Sequence, residues 1–110
     1  MDDFSTSKKT NDSLDMSELK GSAERAAELL KTLSHSGRLL ILCNLADGEK
    51  SVGELEGLLK SRQAAVSQQL ARLRKDGLVR FRRDGKTIYY SLSDKKARRV
   101  IELLYSLYCG

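Results

Sequence analysis

The chemistry available to this chain lies in two thiols and one basic, amide-rich stretch. Cys43 and Cys109 are its two cysteines. As thiolates they could attack electrophilic sulfur, and two held close together could capture an oxidised sulfur before it oxidises further. The residues alone leave a plainer reading open: Cys43, in a leucine-rich stretch, could be a small packing hydrophobe, and Cys109 an incidental thiol. The single histidine, His35, precedes an apolar stretch, where a capping or surface role is expected, and no second histidine completes a metal set. The basic stretch is different in kind. Residues 61–86 hold eight Lys/Arg against two Asp, in a chain whose net charge is +5. Gln63, Ala64, Ser67, Gln68 and Arg72 are short or amide-bearing groups of the sort that meet base edges in a major groove, where glutamine can pair bidentately with adenine. Arg62, Arg74, Lys75, Arg82, Arg83 and Lys86 could neutralise phosphates or enter a minor groove. A solvated basic face on an ordinary helical domain is the bland alternative. It is outweighed because the charge coincides with a helix-turn-helix and a hairpin tip.

Those residues need elements to hold them. Ser51 and Glu54 have the S-x-x-E spacing of a capping box, so a helix should begin just after Ser51, with Val52, Leu55, Leu58 and Leu59 on its inner face. A short polar turn over residues 60–63 leads to a second helix running to about Lys75. Its inward stripe is Val66, Leu70 and Leu73. Asp76-Gly77 is a C-terminal stop, glycine tolerating the left-handed conformation found there. Leu78–Arg83 and Thr87–Leu92 are strand-like, and Asp84-Gly85 between them is a hairpin signal. Upstream, Glu18–Leu33 is a helix whose residues Leu19, Ala23, Ala26, Leu30 and Leu33 make a narrow seam suited to another helix. Arg38–Ala46 is a second, strongly apolar helix. Downstream, Ser93 is the expected N-cap of a last helix from Asp94 towards Tyr108, with Ala97, Val100, Ile101, Leu104 and Tyr108 as one apolar face, widened by Leu103 and Leu107. The first and last helices together are expected to form a dimer surface, since operators are commonly read by symmetric dimers.

The composition sets bounds. The length suits one domain, and 40% hydrophobic with 32% charged residues is ordinary for a soluble protein. Residues 1–17 are polar and net acidic, and are expected to be a disordered arm before a domain over 18–110. No apolar run approaches a membrane span and the N-terminus has no secretory pattern, so a cytoplasmic location is expected. There is no nucleophile–base set, glycine-rich phosphate loop or carboxylate pair, which argues against an enzyme, and no cofactor is implied. The expected fold is mainly α with a small β-hairpin wing: a dimeric winged helix-turn-helix of five helices and two strands.

This order of elements resembles the ArsR/SmtB family of winged-helix repressors. The resemblance covers residues 20–109 and is carried by Arg38-Leu39-Leu40-Ile41-Leu42, Val66-Ser67-Gln68-Gln69-Leu70, Leu73-Arg74-Lys75-Asp76-Gly77-Leu78-Val79 and the wing Arg82–Leu92. It implies a homodimer that represses double-stranded operator DNA and releases it when an inducer binds. The family's metal sites do not carry over. Ser51 and Gly53 stand where one site has a Cys-x-Cys pair, and Asp94 is followed by Lys95 and Lys96 with no histidine on the last helix. Soft metals need clustered thiolates or imidazoles. The placement of Cys43 and Cys109 is instead similar to the BigR/SqrR branch. That resemblance implies that inorganic or organic persulfides link the two thiols through a disulfide or a longer sulfur chain, that the linked form binds its operator poorly, and that the genes controlled concern sulfide oxidation or detoxification. A general peroxide or disulfide sensor, and a metal-independent architectural DNA-binding protein with structural cysteines, are the alternatives.

Overall fold

The computed structural model describes residues 15–60 and 63–110. Most of the expected N-terminal arm, and Ser61 and Arg62 in the turn, lie outside the described residues. Five helices and three short strands follow in order: α1 Met16–Leu33, α2 Ser36–Ala46, β1 Lys50–Ser51, α3 Val52–Leu59, α4 Gln63–Lys75, β2 Val79–Asp84, β3 Thr87–Leu92 and α5 Lys95–Tyr108. The chain divides after Lys31, and Thr32–Gly110 makes one compact unit. Within α1, Met16, Leu19 and Leu30 are exposed. The helix begins two residues before Glu18, where the Asp15 carboxylate accepts from the Glu18 N–H and the Ser17 hydroxyl, each at 2.8 Å.

The core of the 32–110 unit draws on the expected stripes, except that Leu58, expected on the inner face of α3, is exposed. Ile41, Leu42 and Leu45 of α2, Leu55 of α3, Val66, Leu70 and Leu73 of α4, and Ala97 and Ile101 of α5 are buried, together with Leu78, Val79 and Leu92. Burying a Leu or Ile fully contributes about 1.5–3 kcal/mol, so this apolar centre fixes how the polar face of α4 is presented.

Helix ends are set locally. Ser51 Oγ accepts from the Glu54 N–H at 3.1 Å and the Ser51 N–H donates to Glu54 Oε1 at 2.8 Å, the reciprocal box expected. His35 caps α2, its Nδ1 accepting from the N–H groups of Gly37 and Arg38. α4 ends in a Schellman arrangement: Gly77, at φ 78, donates to the Arg74 carbonyl, and Leu78 donates back to Leu73. Lys60 ends α3 in the left-handed region at φ 53, a strained conformation for a residue with a Cβ.

Three details differ from the sequence expectation. The N-cap of α5 is Asp94, whose Oδ1 accepts from Lys96 and Ala97. Ser93 is engaged elsewhere, its hydroxyl donating to the Gly77 carbonyl at 3.0 Å and its N–H to the Leu78 carbonyl at 3.0 Å. The wing also has a third strand. β1 pairs antiparallel with β3, Lys50 opposite Tyr90 and Ser51 opposite Tyr89, giving the order β1-β3-β2. Ser51 is thus both a strand residue and the cap of α3, which fastens the wing to the helix-turn-helix. In the hairpin Asp84 pairs with Thr87, so the two-residue loop is Gly85-Lys86 rather than Asp84-Gly85. Gly85 takes φ 64 at the first loop position, the place where a type II′ turn requires glycine.

Candidate nucleic-acid interface and thiol cleft

The outer face of α4 follows from its helical spacing. With Val66, Leu70 and Leu73 buried, Ala64, Ser67, Gln68 and Arg72 are exposed. Ala64, Gln68 and Arg72 repeat at four-residue intervals and therefore form one row. Gln63 is the first residue of the helix, and Arg62 lies outside the described residues. This row presents an amide, a neighbouring hydroxyl from Ser67 and a guanidinium in a line.

Arg72 is not simply solvated. Its Nε donates to Asp76 Oδ2 at 2.9 Å, and Thr32 Oγ1 donates to the same oxygen at 2.7 Å. These contacts hold the Asp76 carboxyl below its ordinary range, the Thr32 hydrogen bond being the largest cause and Arg72 and Arg38 adding to it. Arg38 extends the network: its Nε donates to the Thr32 carbonyl at 2.8 Å and its Nη1 reaches Gln69 Oε1 at 3.5 Å. The start of α2 is thereby tied to the second half of α4. Sequence reasoning passed over Arg38, Gln69 and Asp76 as positioning residues. The four-residue spacing of Arg72 and Asp76 was the one signal available.

The basic candidates of the wing divide into two kinds. Arg82 makes a bidentate pair with Glu49, Nε to Oε2 and Nη2 to Oε1 both at 2.8 Å, and its guanidinium lies 4.6 Å from the Tyr89 ring centre. Each partner stabilises the other's charge: Glu49 is shifted down by its hydrogen bond to Arg82, and Arg82 is shifted up by the same bond. Arg82 is therefore a clamp between the wing and the start of β1. Arg74 is also occupied, stacking 4.3 Å over the Phe81 ring, which in turn packs against Tyr90 at 5.8 Å. Lys75, Arg83 and Lys86 are exposed and make no ion pair among the described residues. Of the phosphate candidates in the described structure, these three present their charge outward.

The two thiols come together although they stand 66 positions apart in sequence. α2 packs on α5, and Cys43 and Cys109 line one cleft of about 580 Å³ with Leu40, Asn44, Asp47, Ile101, Glu102 and Tyr105 around them. Cys43 is half-buried and Cys109, the C-cap residue of α5, is exposed. Burial pushes the Cys43 thiol up, and the neighbouring Cys109 adds to the shift. The size is within the range of small-molecule sites, roughly 300–1,000 Å³. Cys43 and Cys109 are thus the two thiol-bearing residues of one cleft.

Residues 35–80 match the family described as bacterial regulatory protein, arsR family. The biofilm growth-associated repressor of Agrobacterium fabrum (strain C58) is 52% identical over 88 residues, covering 80% of this chain and 75% of that protein. The chain belongs to the ArsR family. Among solved structures, reduced HlyU from Vibrio cholerae N16961 superposes with a TM-score of 0.83 at 45% identity, covering 86% of this chain and all of that one. The repressor BigR from Xylella fastidiosa superposes with a TM-score of 0.80 at 42% identity, covering 88% of this chain and 99% of that one. This ArsR-family chain is accordingly a DNA-binding transcriptional regulator and not an enzyme. No helix among the described residues is long and apolar enough to cross a membrane.

Proposed function

We propose that this ArsR-family protein is a dithiol repressor. It binds double-stranded operator DNA as a homodimer while Cys43 and Cys109 are reduced, and releases it when reactive sulfur species link the two. The genes it controls concern sulfide oxidation or detoxification. The observation that carries the reading is the shared cleft of the two thiols between α2 and α5. That the Agrobacterium relative is a repressor supports repression. Exposed apolar residues on α5, Leu103 and Leu107, and on α1, Leu19 and Leu30, support a second copy as partner.

The chemistry balances with a persulfide, R–S–SH, as the oxidant. A cysteine thiolate attacks the outer sulfur, the donor S–S bond breaks, and RS⁻ leaves with the electron pair and is protonated to RSH. The cysteine is then Cys–S–SH. Attack by the second thiolate on its inner sulfur expels HS⁻ and closes a disulfide. If both cysteines have been persulfidated first, the same displacement leaves one extra sulfur in the bridge. In either case the dithiol loses two electrons and sulfane sulfur is reduced to hydrosulfide. The bridge ties α2 to α5, while Arg38 of α2 is bonded to Gln69 and, through Thr32, to Asp76 beside the reading face. A change in α2 therefore has a hydrogen-bonded route to α4, and half-site spacing in a dimer is strict.

The test is intact-mass measurement of reduced protein exposed to a persulfide donor, with binding followed in parallel to an operator selected from random duplexes by the reduced protein. A bridged species accompanied by lost affinity is expected. Bridging without loss of affinity, or neither, would overturn the reading. Peroxide in place of the donor separates a general thiol oxidation sensor from a persulfide-specific one.

A further inference from the structure

The guanidinium of Arg72 is tethered in a way that leaves its far edge open. Its Nε donates to Asp76 Oδ2 at 2.9 Å, and among the described residues Asp76 is the one hydrogen-bond partner of that side chain. Nη1 and Nη2 keep their N–H groups. Arg82 is the contrast: its pair with Glu49 takes Nε and Nη2 together and closes one edge of the fork. The tether of Arg72 is itself anchored. Thr32, which is buried, donates to the same Asp76 oxygen at 2.7 Å. The Asp76 N–H also donates to the Arg72 carbonyl at 3.0 Å, so backbone and side chain both hold the two residues one turn apart. The Arg72 side chain is 41% exposed and that of Asp76 27%, so the fork emerges at the surface from a partly covered support. Arg72 stands at the end of the exposed row begun by Ala64 and Gln68.

A guanidinium held through Nε presents Nη1 and Nη2 as two parallel donors. That edge matches guanine, whose O6 and N7 are both acceptors in the major groove; no other base offers two acceptors there. Resting on α4 as the helix that reads operator DNA, and not on the thiol chemistry, we propose that Arg72 reads a guanine of the operator, with Asp76 and Thr32 as positioning residues that hold its fork for the base. An untethered arginine gives up side-chain freedom to make two bonds at once, whereas the tether to Asp76 removes part of that freedom before DNA arrives. The anchor on buried Thr32 matters because a carboxylate free to turn would fix nothing.

In the experiment, the full-length reduced protein selects operators from random duplexes, and the four bases are then exchanged at every position of the selected site in competition binding. One position should prefer guanine by about 5- to 150-fold. Arg72→Lys, which keeps the charge without the planar fork, should abolish that preference. Asp76→Asn should lower it by about 2- to 10-fold, the entropy of one released side chain, and Thr32→Val by less. Both should leave the position that depends on Gln68 unchanged, with urea unfolding showing that each variant is folded. A guanine preference retained in Arg72→Lys, or an Arg72→Ala loss equal on operator and random duplex, would overturn the assignment and mark a phosphate contact instead. A parent-like preference in both Asp76→Asn and Thr32→Val, or a loss spread evenly over all positions, would overturn the positioning role. Failure of the parent to select any sequence would overturn operator reading by α4 along with the proposal.

Discussion

Glu49→Gln should make this regulator bind DNA with a steeper salt dependence. Arg82 is one of six basic residues that the sequence offers to phosphates, yet it is held by Glu49 through two 2.8 Å hydrogen bonds and by the Tyr89 ring. While that pair holds, its charge is neutralised within the protein and releases no counterion on binding. Replacing the carboxylate by an amide removes the opposing charge and frees the guanidinium at the wing. One further phosphate neutralised per copy steepens the slope of log K against log salt by about 0.9, or about 1.8 for a dimer with both wings engaged. Between 50 and 200 mM salt, a dimer variant should therefore lose about tenfold more affinity than the parent. The assay is fluorescence anisotropy on a duplex of random sequence, titrated at four or five salt concentrations. Arg82→Ala in the parent should leave the slope nearly unchanged, whereas Arg83→Ala should lower it by about 0.9 per copy. Glu49→Gln/Arg82→Ala should return to the parent slope. If Arg82→Ala by itself flattens the slope as much as Arg83→Ala, the arginine leaves Glu49 for a phosphate on binding and the clamp reasoning fails.

Gln68→Ala should cost about 1–3 kcal/mol on a selected operator and little on random duplex; equal losses on both would remove Gln68 from base reading. Gly77→Ala should destabilise the fold by about 1–2 kcal/mol in urea unfolding, because φ 78 places a Cβ in the left-handed region, and an unchanged midpoint would contradict the Schellman assignment. The Asp76 carboxyl is held below its ordinary value of 3.8, so its ionised form favours the folded state. That contribution is complete above 3.8 and is lost as pH falls through the lower folded value. The stability gap between the parent and Asp76→Asn should be wide at neutral pH and narrow in acid, and a gap independent of pH would exclude the ionised carboxylate as its source.

The sequence by itself determined what acts over a few residues. Ser51 and Glu54 cap α3 because both hydrogen bonds close within one turn. Gly77 ends α4 for the same local reason, and the stripes Val66-Leu70-Leu73 and Ala97-Ile101 went inward because helical spacing puts them on one face. The row of Ala64, Gln68 and Arg72 was legible as the complement of that stripe. Tertiary structure decided what depends on distant partners. Two residues of β1 carry no periodicity of their own, and only β3 gives them a partner. Ser93 and Asp94 can each cap a helix; the choice fell to Asp94 because the Ser93 hydroxyl meets the Gly77 carbonyl, 16 residues away. Arg82 reads in the sequence as one more free cation of the wing; only the fold shows that Glu49, 33 residues earlier, pairs with it. Most of all, sequence placed Cys43 and Cys109 on two helices without a distance between them. The packing of α2 on α5, which buries Ile41, Leu42, Leu45, Ala97 and Ile101, made them neighbours lining the same cleft.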